Sequence, residues 1–271
     1  MKSLNITILL VCACFGTLLA DAVKPFHFSL KCKELKLLKI IILQDASVHI
    51  NGYDGSELLI TGKNDTSTGP INGYHDISAL AAQIHKSTSA DFAPRIIENN
   101  GMIEMILQTT DANDITIQLP KRTHFSLQFV SHLPKSMLSL TGLYGELMIS
   151  ADVPSVFINN ISGPLSLTSA GINLKKVINI SHVRWNKAGH DNSPLLFIAS
   201  LNADVNLCVP PGLKASLNLK ATHNRVYSDL PSHQLNYESS KNGDLAVKLN
   251  GGGTQVFITT EYGNILLKKE L

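Results

Sequence analysis

The chain has 271 residues, 23 of them Lys or Arg against 21 Asp or Glu, so its formal net charge is only +2 and charged residues make up 16%. This balance, with no basic stripe interleaved with aromatics, excludes a nucleic-acid-binding surface of the usual kind. The length suits one sizeable core, and β folds of this size form single domains.

The chain opens on Met1-Lys2, followed by an almost wholly apolar run from Leu4 to Leu19. Small residues at Leu18-Leu-Ala20 and Ala20-Asp-Ala22 suit signal peptidase. Residues 1–22 therefore read as a secretory signal peptide and residues 23–271 as one mature domain. The apolar run is shorter than the ~20 residues that a membrane span needs, and no later segment is apolar enough to span. Val11-Cys12-Ala13-Cys14 loosely resembles a bacterial lipobox ending at Cys14, although Cys12 is out of place in one. Export permits a disulfide, and Cys32 and Cys208 are the two cysteines left to form it. Lys31, Lys33, Lys36 and Lys39 make the densest basic patch and read as a solvated face.

Strand signals dominate after that. Ser47-Val-His-Ile-Asn-Gly and Glu57-Leu-Leu-Ile-Thr-Gly flank the turn residues Tyr53-Asp-Gly55, which reads as a hairpin or a rung corner. Ile77–Lys86 places Ile77, Leu80, Ala81 and Ile84 at helical spacing behind Asp76 as N-cap, and it reads as a single short helix or a loop carrying a helical turn. Strands follow at Met102–Leu107, Ile115–Pro120 and Phe125–Phe129, the last in strict alternation. Asp111 and Asp114 between them read as turn residues rather than a calcium or acid–base pair.

Gly145-Glu-Leu-Met-Ile-Ser is echoed by Gly163-Pro-Leu-Ser-Leu-Thr-Ser, a self-similarity at a spacing of roughly 20 residues that suggests coil stacked on coil. Asn159-Asn160 and Asn179 could form a short ladder of side-chain amides at the corners. Between Ser181 and Pro194 the pattern lapses into a polar insertion carrying the single tryptophan, Trp185. His182, Arg184 and Trp185 on this insertion are the candidate ligand-binding residues; Trp185 reads first as a partly buried anchor for the loop and otherwise as a sugar-stacking platform. Strands resume at Leu195–Ile198, Ala203–Leu207 and Leu213–Leu219, and Leu245–Leu249 with Val256–Thr260 are expected as closing rungs. Gly251-Gly-Gly253 has no Gly-Lys-Ser/Thr after it and reads as a corner, not a phosphate loop. The loop histidines His182, His190, His223 and His233 fit no standard metal spacing, so neither metal nor cofactor is expected.

The pattern fits an all-β single-stranded β-solenoid, a β-helix-like stack of short rungs with Gly/Asn corners. A β-sandwich has the same periodicity and stands as the alternative.

Val48-His-Ile-Asn-Gly-Tyr-Asp-Gly-Ser-Glu-Leu-Leu-Ile-Thr-Gly resembles the opening of a bacterial adhesin-like family of unknown function with β-strand repeats. The ending is similar too: Asn250-Gly-Gly-Gly253, Val256-Phe-Ile-Thr-Thr, Gly263-Asn-Ile265 and Lys268-Lys269. The Ser181–Pro194 insertion departs from the family pattern. The resemblance implies export to a bacterial cell envelope and a β-solenoid, and it supplies no catalytic residues. A non-enzymatic exported protein, adhesin-like or structural, is the leading expectation. Its partner would be a surface glycan or another envelope protein, and its place the periplasm, the outer membrane surface or the exterior. The alternative is a carbohydrate-binding module using residues 181–194, and a polysaccharide lyase or glycoside hydrolase comes third.

Overall fold

A computed structural model describes residues 26–30, 35–43, 45–63, 94–108, 114–171, 176–183, 195–239 and 244–270. The expected signal peptide, the helical segment 77–86, Cys32, Asp111, His190, Arg184 and Trp185 lie outside the described residues.

The strands in chain order begin with β1 (Phe26–Ser29), β2 (Leu37–Ile42), β3 (Ser47–Tyr53), β4 (Glu57–Lys63), β5 (Arg95–Asn99), β6 (Met102–Leu107) and β7 (Asp114–Pro120). The middle of the chain forms β8 (Phe125–Val130), β9 (Met137–Thr141), β10 (Leu147–Asp152), β11 (Ser155–Asn159), β12 (Leu165–Ser169), β13 (Lys176–Ser181) and β14 (Leu196–Ser200). It ends with β15 (Ala203–Val209), β16 (Ala215–Ala221), β17 (Val226–Ser228), β18 (Leu235–Ser239), β19 (Leu245–Leu249), β20 (Thr254–Thr260) and β21 (Ile265–Lys269).

From β6 to β17 successive strands alternate between two sheets. The front sheet runs β1-β4-β7-β3-β9-β11-β13-β15-β21-β17, and the back sheet β18-β19-β16-β20-β14-β12-β10-β8-β2-β6-β5. One back strand and the following front strand make one rung. The rungs stack in the order β6/β7, β2/β3, β8/β9, β10/β11, β12/β13, β14/β15, β20/β21, β16/β17, with parallel pairing throughout. The fold is all-β, a flattened solenoid in which the two faces of each coil form opposed sheets. The solenoid and sandwich readings thus describe the same core.

Parallel sheets usually carry near-continuous apolar strands because helices cover both faces. Here the outer faces are wet, so the strands alternate, as β10 does in the pattern buried–exposed–buried. Inward side chains line up rung over rung. Ile40, Leu127, Ile149, Leu167, Ile198 and Ile258 form one row of the back sheet. Val48, Leu138, Val156, Ile178, Val205 and Ile265 face them from the front sheet. All twelve are buried and belong to one continuous core cluster.

The echo of Gly145 in Gly163 is a rung repeat: Leu147 pairs with Leu165 and Met148 with Ser166. The glycines are needed because the turns nest. A Cβ at Gly163 would lie 2.0 Å from the Gly145 carbonyl oxygen, and one at Gly145 would lie 2.1 Å from the carbonyl oxygen of Thr123. Gly163→Ala must therefore spread two rungs by moving backbone. We expect it to cost about 1–3 kcal/mol or more, read as a lower urea midpoint. Gly212→Ala is the control, since its added Cβ meets nothing within 4 Å and only the left-handed φ of 75° opposes it. Equal losses in the two variants would refute the nesting argument.

Several local expectations change. The turn after β3 does not close a simple hairpin, because β7 lies between β3 and β4, parallel to one and antiparallel to the other. The amide ladder is formed by Asn179 and Asn206, whose side chains bond at 2.9 Å, not by Asn159 or Asn160. Register explains the change: Asn179 stands opposite Asn206, whereas Asn159 stands opposite Ser181. Residues 245–249 are not a rung but the antiparallel strand β19, which caps β16 together with β18. Residues 256–260 belong to the penultimate rung rather than the last. The basic tail Lys268-Lys269 consequently lies in an interior strand, and β17 is the edge of the front sheet.

Candidate functional site

From β7 to β15 each front strand hands the chain to the back sheet along one edge of the solenoid, and this edge holds a cleft of about 890 Å³. The cleft is built from three successive turns, after β11, β13 and β15, with Gly252–Thr254 and Glu270 closing it. Position after position, these turns use left-handed backbone. Gly142, Asn160 and His182 follow β9, β11 and β13 with φ of 69°, 54° and 50°. Glycine accepts this conformation freely and asparagine and histidine are among the residues that tolerate it, whereas most side chains are strained there.

His182 is fixed at its corner by Glu270. The His182 backbone N–H donates to Glu270 Oε1 at 2.6 Å, and the imidazole Nδ1 lies 3.5 Å from the same oxygen. The Glu270 side chain is 14% exposed, so it braces a strained turn. The His182 ring is largely exposed on the cleft wall. Lys214 and Thr254 add polar groups, and Val183, Pro210, Pro211 and Leu213 supply the apolar lining. The Asn250 side-chain amide donates to the Leu213 carbonyl at 2.8 Å and fixes the neighbouring turn. An apolar hollow with a few convergent polar groups is suited to binding.

Of the three candidate residues, His182 stands on this wall, while Arg184 and Trp185 follow it in the chain outside the described residues. The insertion leaves the ladder intact: β12 and β14, on either side of it in sequence, pair in register from Leu165↔Leu196 to Ser169↔Ser200. The other loop histidines do not gather here. His223 sits on the opposite edge, stacked on Tyr262 with ring centroids 4.9 Å apart, and His233 lies in the short 3₁₀ turn before β18. Asp114 opens β7, with Oδ1 3.4 Å from His49 Nε2. Among the described residues no group of three His, Cys, Asp or Glu could hold a metal ion. Cys208 lies on the outer face of β15, and its thiol is held above the usual range chiefly by burial, with the Glu270 carboxylate acting in the same direction.

Pattern reading from the sequence missed Glu270 and Lys214. Glu270 lies far from His182 along the chain, and only the placement of β21 beside β15 brings it there. A lysine in a Gly/Pro turn carries no signal that distinguishes it from any other surface lysine.

No family model matches the chain, and no curated protein does. Two solved structures are similar to it. One is named a "putative cell adhesion protein" from Clostridium sporogenes ATCC 15579, at 12% identity over 91% of this chain and 99% of that one, with a TM-score of 0.39. The other is named a "putative adhesin" from Bacteroides fragilis NCTC 9343, at 12% identity over 91% and 97% of the chains, with a TM-score of 0.31.

Proposed function

We propose that the protein is a non-enzymatic exported envelope component, a rigid β-solenoid serving adhesion or a structural role. The observation that carries this reading is the outward row of the front sheet. Thr116, His49, Ser139, Phe157, Asn179 and Asn206 stand side by side across six rungs, one side chain per strand. Neighbouring strands are about 4.8 Å apart, so this face repeats short, mostly polar groups at fixed spacing over a long, flat surface. Many weak contacts add on such a surface, and a repeat stack extends it without new chemistry.

Protease shaving of intact cells that express the native protein, followed by fractionation, tests the reading. Digestion on intact cells is the expected result for an adhesin. Protection until the outer envelope is opened would move the protein to a periplasmic structural role. Recovery only from the cytosol would overturn export altogether.

A second reading rests on His182 standing on the cleft wall. The cleft, with Arg184 and Trp185 just beyond it in the chain, would then be a carbohydrate-binding site. Trp185→Ala should abolish retention on immobilised glycan, and unchanged retention would sink this reading.

A further inference from the structure

A second groove, of about 530 Å³, lies on the same edge, at the C-terminal ends of β7, β3 and β9. The turn after β3 arches over the exit of β7. The Lys121 N–H donates to the Tyr53 carbonyl at 3.1 Å, and the Tyr144 N–H donates to the Lys121 carbonyl at 2.6 Å. Three rungs are thereby tied together at one point. Gly52 permits the approach, since a Cβ there would sit 1.9 Å from the Gly142 carbonyl oxygen.

The side chains are fixed in the same way. The Tyr53 hydroxyl donates to the Glu57 carbonyl at 2.6 Å and accepts the Glu57 N–H at 3.2 Å, so its ring lies locked across Gly55. The Lys121 ammonium donates to Asp54 Oδ2 at 2.6 Å and lies 5.9 Å from the centroid of the Tyr144 ring. The Asp54 hydrogen bond raises the Lys121 pKa, so these two charges answer each other. Arg122 remains. It is exposed, lines the groove, and its guanidinium has no partner among the described residues. Tyr144 keeps 36% of its surface open beside it.

We propose that this groove binds an acidic sugar residue, its ring resting on Tyr144 and its carboxylate paired with Arg122. A guanidinium offers two parallel N–H donors that match a carboxylate. An aromatic ring takes the apolar C–H face of a sugar while its polar tip stays wet. Asp54 and Ser56 stand on the rim, where sugar hydroxyls need partners. A peptide fits less well. Extended peptides bind by adding a strand to a free sheet edge, and β7, β3 and β9 are each paired on both sides. The inference goes beyond the adhesin reading and is independent of the cleft at His182.

The test is calorimetric titration of the full mature chain with an oligogalacturonate and a sialylated oligosaccharide, against a neutral galacto-oligosaccharide. At least one acidic sugar should bind, and the neutral sugar much more weakly. Arg122→Gln should weaken the acidic sugar about ten-fold or more, because a charge-assisted bidentate pair is lost. Tyr144→Ala should weaken it as well, while Tyr144→Phe keeps the ring and most of the affinity. Tyr227→Ala, an exposed residue on the edge strand β17 at the far end of the stack, should change nothing. Both Arg122→Gln and Tyr144→Ala alter exposed side chains, and an unchanged thermal midpoint excludes misfolding as the cause. Equal binding of neutral and acidic sugars overturns the proposal, as does failure of both acidic sugars to bind. Binding of poly-glutamate with the same Arg122 dependence, and no sugar binding, would assign the groove to an acidic peptide instead.

Discussion

Ending the chain after Gly253 should collapse the C-terminal third of the solenoid rather than shorten it by one rung. The missing strands β20 and β21 are the last in sequence, yet they lie between β14/β15 and β16/β17 in the stack. Their inward residues Val256, Ile258, Ile265 and Leu267 are 0–2% exposed. Burying each such side chain contributes about 1.5–3 kcal/mol, so losing four removes roughly 6–12 kcal/mol. That is comparable with the whole stability of a typical domain, about 5–15 kcal/mol. The rung β16/β17 would also lose its covalently later but spatially central neighbour. Only the antiparallel strand β19 would still pair with β16. Limited proteolysis should then cut between Leu196 and Ser239, a region expected to resist in the full chain. A truncated protein that keeps this region protected and unfolds in one transition would show that the rung order is wrong.

Asp152→Ala should destabilise the protein by about 3–5 kcal/mol, because it strands a buried charge. Lys176 opens β13 and points into the coil, with a relative exposure of only 1%. Its ammonium pairs with the Asp152 carboxylate at the end of β10 and donates to Ser169 Oγ at 3.2 Å and to the Gly171 carbonyl at 2.7 Å. Without Asp152 the ammonium keeps two neutral acceptors and no counter-charge. Lys176→Met keeps much of the volume and leaves Asp152, which is partly exposed, to take water. It should cost about 1–2 kcal/mol through the lost hydrogen bonds. The informative variant is the double one. Adding Lys176→Met to Asp152→Ala removes the stranded charge and should restore more than half of the loss in urea unfolding. Strictly additive losses would show that the pair is not coupled.

Alternation in Phe125–Val130 and the echo of Gly145 in Gly163 are local, so they read directly as strands and as a rung repeat. A solenoid makes this easy, because each rung repeats the same requirement: apolar in, polar out, small residues at the nested turns. Lys176 gave no such signal. Its inward position follows from the phase of β13, and its partner lies on another rung in the opposite sheet. The groove at Arg122 is similar. The Gly-Tyr-Asp-Gly turn is visible in the sequence, but its meeting with Lys121 and Tyr144 requires β7 to pass between β3 and β4.

The element type, the inward and outward faces, the corners and the all-β stack are legible in the residues alone, because hydrophobic periodicity and turn chemistry act over a few neighbouring residues. The rung order at both ends was set by long-range packing instead. Seating β2/β3 inside β6/β7 and β20/β21 inside β16/β17 exchanges positions among strands with the same aliphatic pattern. Any of them could pair with any other by hydrophobicity alone. The choice depends on which turns nest, on which inward side chains fill each layer, and on where antiparallel strands can close the two ends. Those are contacts between residues far apart in sequence, and they also bring Glu270 to His182 and Arg122 to Tyr144.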